Sequence, residues 1–278
     1  MKIAAIQMVS TPDVARNCEA AKRLIAQAAA QGAQLVALPE YFCLMGRSDT
    51  DKLDVAEPQL AANRTGDGPD VGPIQQALSD AARTHAVWLI GGTLPLRCDD
   101  PQRVRNSNLV FAPDGTLAAR YDKMHLFRYD NGRERYDEGR VLQPGSVPVA
   151  VQCGALRVGL SVCYDLRFPE LYRALMDPPC DLIAVPSAFT RTTGNAHWEL
   201  LLRARAVENQ TYVIAPAQGG THENGRRTWG HSMIVDPWGQ VLGVLPEGEG
   251  IVCADVDASR LALVRSQLPA LGHRRLGR

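Results

Sequence analysis

The stretch Val158-Gly159-Leu160-Ser161-Val162-Cys163-Tyr164-Asp165-Leu166-Arg167-Phe168-Pro169-Glu170 reads as a buried strand, a sharp corner and a helix start. Its apolar run is too short for a helix and reads as a strand, and Pro169 suits the first turn of a helix because it lacks the N–H that would go unpaired there. Working outward, the same unit recurs. Downstream, Asp181–Pro186 reads as a strand, Ala196–Asn209 as a helix, and Tyr212–Ala217, His231–Asp236, Gln240–Val244 and Ile251–Asp255 as strands, with Pro237-Trp238-Gly239 turning one hairpin. Upstream, Lys2–Val9 is a strand, and Asp13 caps an Ala-rich helix that runs to about Gln31 and is closed by Gly32. Gln34–Leu38, Val87–Leu94, Asn106–Ala112 and Thr116–Asp122 follow as strands and Pro73–His85 as a helix. Strands and helices alternating at this spacing predict an α/β domain with helices covering sheets. One domain over residues 1–278, with a core of about 2–257, accounts for every segment. The longest irregular stretch, Arg47–Gly72, is expected to rim a site, because strands resume after it.

Composition narrows the function. Thirty basic residues balance thirty acidic ones, whereas a nucleic-acid binder carries a clustered basic surplus. No stretch approaches the roughly 20 apolar residues that span a bilayer, and Lys2–Val9 begins a strand rather than a leader peptide. The seven cysteines are scattered and form no CxxC pair. Disulfides and structural zinc are not expected, and a reduced, cytoplasmic setting is. Only four residues are lysine (Lys2, Lys22, Lys52 and Lys123), arginine being the default cation.

Three strands each run into one reactive side chain. Leu35-Val-Ala-Leu-Pro-Glu40 delivers a carboxylate, Leu117-Ala-Ala-Arg-Tyr-Asp-Lys123 an ammonium, and Val158-Gly-Leu-Ser-Val-Cys163 a thiol. Ligands gather at the carboxyl ends of strands in such sheets, so these three ends are expected to converge. Each residue alone has a plain structural explanation: a buried cysteine is usually a small hydrophobe, and a lone Glu or Lys a solvated charge. The corner before Pro169 favours a catalytic thiol, with its thiolate stabilised by a helix N-terminus and a lysine.

Together, Leu38-Pro-Glu40, Tyr121-Asp-Lys123-Met-His125-Leu and Val162-Cys163-Tyr-Asp-Leu-Arg167-Phe-Pro-Glu170 resemble the three signature regions of the nitrilase superfamily of carbon–nitrogen hydrolases. The likeness covers nearly the whole chain, continuing through Thr193–Glu199, Arg203–Gln210 and Gly230–Gly239. It implies a four-layer αββα sandwich paired into homo-oligomers, no cofactor and no metal. It implies that Cys163 attacks the amide carbon, that Glu40 is the general base, and that Lys123 and the Tyr164 backbone N–H hold the oxyanion. Glu138, in Tyr136-Asp-Glu138-Gly, falls on a second family glutamate that positions substrate. Arg167 is a candidate for a substrate carboxylate, or else pairs with Glu170 or Asp165. Tyr41, Phe189 and His197 are further candidate substrate contacts, His197 having a structural hydrogen-bonding role as its alternative.

Other chemistries fail on single residues. Gly159-Leu-Ser161-Val-Cys163 has Cys where a GxSxG elbow needs its last Gly. His222-Glu223 has Arg226 where HExxH needs its second His. Gly66-Asp-Gly68 lacks the dinucleotide-binding spacing. An inactive binding relative is opposed by the joint presence of Glu40, Lys123, Glu138 and Cys163. The partner is therefore a small-molecule amide, not nucleic acid or membrane. Cys163-Tyr-Asp165 differs from the Cys-Trp-Glu usual in true nitrilases. Ala217-Gln218-Gly-Gly-Thr-His222 is more similar to amidases of deaminated glutathione than to ω-amidases of 2-oxoglutaramate. Its two glycines either wall the leaving-group side or only make a turn. The family's tail continues past the segment similar to Leu268–Arg275, whereas this sequence stops at Arg278, so the resemblance leaves dimer contacts through that tail open.

Overall fold

In β1 (Lys2–Gln7), Ile3 and Ala5 join one apolar cluster while Ala4 and Ile6 join another, so both faces of the strand are buried. A strand dry on both faces belongs between covering layers. The computed structural model describes residues 1–66 and 71–276; Asp67 and Gly68 of the Gly66-Asp67-Gly68 stretch lie outside the described residues.

The first sheet comprises β1, β2 (Leu35–Ala37), β3 (Trp88–Ile90), β4 (Leu94–Arg97), β5 (Val104–Phe111), β6 (Leu117–Asp122) and β15 (Gly250–Asp255). β1, β2 and β3 are parallel, β15 is antiparallel to β1, and β5 pairs antiparallel with β3, β4 and β6. A small hairpin, β7 (Arg128–Asp130) and β8 (Arg135–Asp137), follows. The second sheet runs in the order β14 (Val241–Leu245), β13 (Ser232–Val235), β12 (Tyr212–Ala215), β11 (Leu182–Ala184), β10 (Leu156–Leu160) and β9 (Val149–Cys153).

The sheets pack face to face: Ile3, Leu35, Ile90 and Val110 of the first share a cluster with Val158, Leu160, Ile183 and Val213 of the second. Helices α1 (Val14–Ala30) and α3 (Pro73–His85) cover the first sheet's outer face. Helices α4 (Pro169–Ala174) and α5 (Arg191–Asn209) cover the second, α5 with Trp198, Leu202 and Ala206. A short α2 (Asp51–Asp54) lies in the Arg47–Gly72 stretch, and α6 (Ala258–Gln267) follows the last strand. The layers are αββα.

Local chemistry sets the helix limits. Asp13 accepts from Arg16 N–H at 3.1 Å and caps α1, which buries Asn17, Ala21, Leu24, Ile25 and Ala28 on one face. At α3 the capping residue is Gly72, which has no side chain, and Glu57 caps from a distance, accepting from the N–H groups of Ile74 (2.5 Å) and Gln75 (3.0 Å).

Several boundaries differ from the sequence reading. Val87–Leu94 is not one strand: Gly91-Gly92 separates β3 from β4. Gly92 has a φ of +62°, and a Cβ there would stand 2.2 Å from the Pro39 carbonyl oxygen. Only glycine lets the chain pass so close to Pro39-Glu40. Helix α5 starts at Arg191 instead of Ala196, because Thr190 caps it by accepting from Thr193 N–H at 3.2 Å. Gly194 then sits inside the helix, where a Cβ would collide with Trp229 at 2.3 Å. The sequence reading had no counterpart for β9, the β7–β8 hairpin or α6. Among the described residues no helix is long and apolar enough to cross a membrane.

Candidate active site

Lys123 immediately follows β6, and Glu40 lies just past the end of β2. Two antiparallel pairings, β3–β5 and β5–β6, leave β6 pointing the same way as β2, so both side chains emerge at one edge of the first sheet. Lys123 is 1% exposed, and its Nζ lies 2.8 Å from Glu40 Oε1 and 2.8 Å from Glu138 Oε2. Glu40 Oε1 also accepts from Asn106 Nδ2 at 2.9 Å, and Glu138 from the Tyr41 hydroxyl and the Phe127 N–H, each at 2.7 Å.

Burial, the largest single influence on Lys123, would strip its proton, but Glu138 and Glu40 together outweigh it and its pKa is raised. Burial acts on Glu138 in the opposite sense and is likewise overcome, chiefly by Lys123, which leaves the carboxyl below its usual range. Lys123 and Glu138 thus hold each other in their charged forms, and among the described residues no group of three or more His, Cys, Asp or Glu is placed to hold a metal ion.

Cys163 comes from the other sheet, at the end of β10 and the start of a single 3-10 turn, Cys163–Arg167. Its φ is +49°, a left-handed conformation that is costly for a residue with a Cβ and typical of functional corners. Its N–H donates to the Pro186 carbonyl at 2.9 Å. Asp165, fully buried, anchors the corner by accepting from Val162 N–H (2.9 Å), the Tyr121 hydroxyl (2.7 Å) and His125 N–H (3.0 Å). Tyr121 and His125 belong to the first half, and the His125 ring stacks on Phe168 with centroids 3.7 Å apart. Tyr164 follows Cys163 in the first turn of that 3-10 segment and lines the cavity beside it.

The electrostatics correct one expectation. Burial first, then the Glu40 carboxylate, raises the Cys163 thiol well above its ordinary range, against a smaller opposing pull from Lys123. At rest the sulfur carries its proton.

Glu40, Glu138 and Cys163 line one cavity with an empty volume of ≈ 270 Å³, walled also by Phe127, Tyr164, Arg167, Ala188, Phe189, Thr190, Thr193 and Arg226. Arg167 makes no ion pair with Glu170 or Asp165 among the described residues; its guanidinium lies 5.3 Å from the Phe189 ring centre and 5.8 Å from that of Tyr164. His197 is exposed and reaches the cavity only through Arg167, its Nδ1 lying 3.2 Å from Arg167 Nη1. Tyr41 does not line this cavity, because its hydroxyl is committed to Glu138.

Gln218–His222 is not a cavity wall either. Gln218 is fully buried and donates to Ser10 Oγ (2.7 Å) and the Glu40 carbonyl (3.1 Å), while its Oε1 accepts from Ser10 N–H (3.0 Å). His222 is buried between the Ser10 carbonyl and the Thr228 hydroxyl, both at 2.8 Å. The segment holds the backbone of Glu40 in place.

Arg226 lay outside the sequence reading of the site except as the residue that spoils HExxH. It reaches the cavity because His222 and Gly225 close a turn that aims it inward, with Nη2 3.2 Å from the Ala188 carbonyl. Asn106, Thr190 and Thr193 were also missed; the buried polar run Asn106-Ser107-Asn108 inside an apolar strand was the available signal for the first.

The chain is similar to known proteins over nearly its whole length. The carbon–nitrogen hydrolase family model matches residues 2–266. The chain is 39% identical over 275 residues to a deaminated glutathione amidase of Synechocystis sp., covering 98% of this chain and 97% of the relative. It is 38% identical over 271 residues to the human omega-amidase NIT2, covering 97% and 92%. The crystal structure of Saccharomyces cerevisiae Nit3, a member of branch 10 of the nitrilase superfamily, superposes with a TM-score of 0.86 at 30% identity, covering 97% of this chain and 94% of that one.

Proposed function

The chain belongs to the carbon–nitrogen hydrolase family of the nitrilase superfamily, and on that premise we propose that it is a thiol amidohydrolase whose substrate is the amide of a small 2-oxo acid, in first place deaminated glutathione. The observation that supports this best is the cavity that Cys163 shares with Glu40 and Glu138, the two carboxylates that clamp Lys123.

In the proposed cycle the substrate carbonyl oxygen sits between Lys123 Nζ and the Tyr164 N–H. Cys163 Sγ bonds to the carbonyl carbon as Glu40 takes the thiol proton, and the oxygen becomes an oxyanion. Covalent catalysis splits one hard displacement into two easier ones, and preorganised donors stabilise the charge that develops. The C–N bond then breaks, Glu40 passes its proton to the departing nitrogen, and a thioester remains. Glu40 next deprotonates water, whose oxygen bonds to the carbon; the C–S bond breaks, the acid leaves and the thiol is restored. A thiol that is neutral at rest suits this order, because the base acts only once an electrophile is present. Glu138, with Tyr41 and the Phe127 N–H, keeps Lys123 oriented. Phe189 and Arg167 hold the acyl portion, with His197 positioning Arg167.

The test is a direct measurement of kcat/KM for deaminated glutathione and 2-oxoglutaramate. Both present a 2-oxoglutaryl group and differ in the amine that departs. Binding energy from a larger leaving group lowers the barrier at the reacting carbon, so deaminated glutathione is expected to be the better substrate. A preference of about tenfold or more for 2-oxoglutaramate, ~1.4 kcal/mol in transition-state binding, moves the assignment to an ω-amidase, the reading that likeness to NIT2 supports. Intact-protein mass spectrometry of the thioester tests Cys163 independently. We also infer a single domain that forms homo-oligomers in the cytoplasm, to be checked by sedimentation and fractionation.

A further inference from the structure

Beyond Tyr41 a second, open chamber with an empty volume of ≈ 890 Å³ adjoins the catalytic cavity, and Arg226 lines both. Its charge is lopsided. Arg47, Lys52, Arg135 and Arg226 face it, against one carboxylate, Asp49. That carboxylate is largely exposed and 3.6 Å from Lys52 Nζ, so it screens the lysine only loosely. The Lys52 side chain is 14% exposed, with its ammonium 5.0 Å from the centre of the Tyr41 ring. The Arg226 guanidinium lies 5.2 Å from the centre of the Tyr136 ring, and its Nε is buried with no partner among the described residues. Two cations half-withdrawn from water, one with an unfilled donor, make a site for an anion. Lys52 is also one of four lysines in a chain that otherwise uses arginine.

We propose that Lys52 and Arg226 form a subsite for a carboxylate on the leaving-amine half of the substrate. The argument rests on the amidase reading above and on where the amine must go. The departing nitrogen takes its proton from Glu40, and the hydrogen-bond path from Glu40 runs through Lys123 and Glu138 to the Tyr41 hydroxyl, at the chamber's edge. The acyl half occupies the other end, against Phe189, Thr190 and Thr193. Cysteinylglycine as leaving group ends in a carboxylate; ammonia has none. Burial lowers the Lys52 pKa from its ordinary value, which an arriving anion reverses. The wall expected from Gln218–His222 is thus supplied by the turn that follows it.

The experiment compares kcat/KM for deaminated glutathione, its C-terminal glycinamide and 2-oxoglutaramate, in the wild type and in Lys52→Gln and Lys52→Arg. The wild type is expected to favour the free acid over the glycinamide by about tenfold, mainly through KM. In Lys52→Gln this preference falls to near one, and Lys52→Arg keeps most of it. The acid-to-amide ratio is internal to each variant, so a partly unfolded preparation does not distort it. Equal use of acid and glycinamide by the wild type overturns the subsite, as does an unchanged ratio in Lys52→Gln. Hydrolysis of 2-oxoglutaramate without any hydrolysis of deaminated glutathione by the wild type sinks the functional reading as well, and is seen before any variant is made.

Discussion

The two sheets contribute unlike things to one cavity. From the first half come Glu40, Lys123 and Glu138, with Lys123 Nζ held 2.8 to 3.0 Å from both carboxylates, a network closed by Asn106, Tyr41 and Phe127 of the same half. From the second come Cys163, the Tyr164 N–H, and the walls Ala188, Phe189, Thr190 and Thr193. In the proposed cycle one half moves protons and the other holds carbon. The charge network is self-contained, whereas Cys163 is set in place across the sheet interface, through Asp165 bound to Tyr121 and His125. The spacing of Glu40 from Cys163 is therefore fixed by sheet-on-sheet packing, which is dense and yields little.

The sharpest way to break this division is to remove the sulfur. Cys163→Ala is expected to lower turnover by about 10⁴-fold or more while the first half's network stays intact, because loss of the nucleophile removes the covalent route. Thermal melts should be nearly unchanged, and retention of more than about a tenth of the wild-type rate would show the assignment to be wrong.

Next in size is Lys123→Met, which strikes the other half. Loss of one oxyanion donor costs about 10²–10³ in kcat. Leaving two carboxylates buried without their cation costs about 3–5 kcal/mol of stability. Activity and melting temperature fall together here, and a variant that loses activity at unchanged stability contradicts a shared counter-charge.

Gln218→Ala sharpens the comparison at its seam. The side chain bonds Ser10 and the Glu40 carbonyl from the far half. About a tenfold drop in kcat with KM little changed is expected, since a small displacement of the base affects proton transfer more than binding. A change confined to KM would make Gln218 a substrate contact.

The smallest effect concerns pH. Burial, then the nearby Arg226, lower the His222 pKa from 6.5, with the Ser10 carbonyl opposing. The unfolded chain thus binds the proton more readily, and stability falls as pH drops through 6.5 toward the folded value. Between pH 7.5 and 5.5 the wild type should lose roughly 1–3 °C of melting temperature. His222→Gln should lose less, and an equal loss would assign the slope to other groups.

How much of this was legible follows the same division. Glu40, Lys123 and Cys163 each follow closely on a strand, and the strands are readable from their short apolar or β-prone runs, so the three were found together. Arg226 sits on an irregular turn whose closure by His222 and Gly225 has no sequence pattern, so only the fold brings it to the cavity. β9 escaped because four of its five residues are at least partly exposed and carry no strong alternation. α6 escaped because it buries only Leu261 and Val264. The raised thiol pKa was misjudged because a sequence shows the lysine and helix near Cys163 but not the burial that outweighs them.

That suppressed thiol has a consequence for survival under oxidative stress. Peroxide attacks thiolates, and the first product, a sulfenic acid, is reached only as fast as thiolate forms. Cys163 stands at 7% exposure with its proton retained, so the resting enzyme offers an oxidant little to react with. In the proposed cycle, vulnerability is confined to the moments when Glu40 has taken that proton.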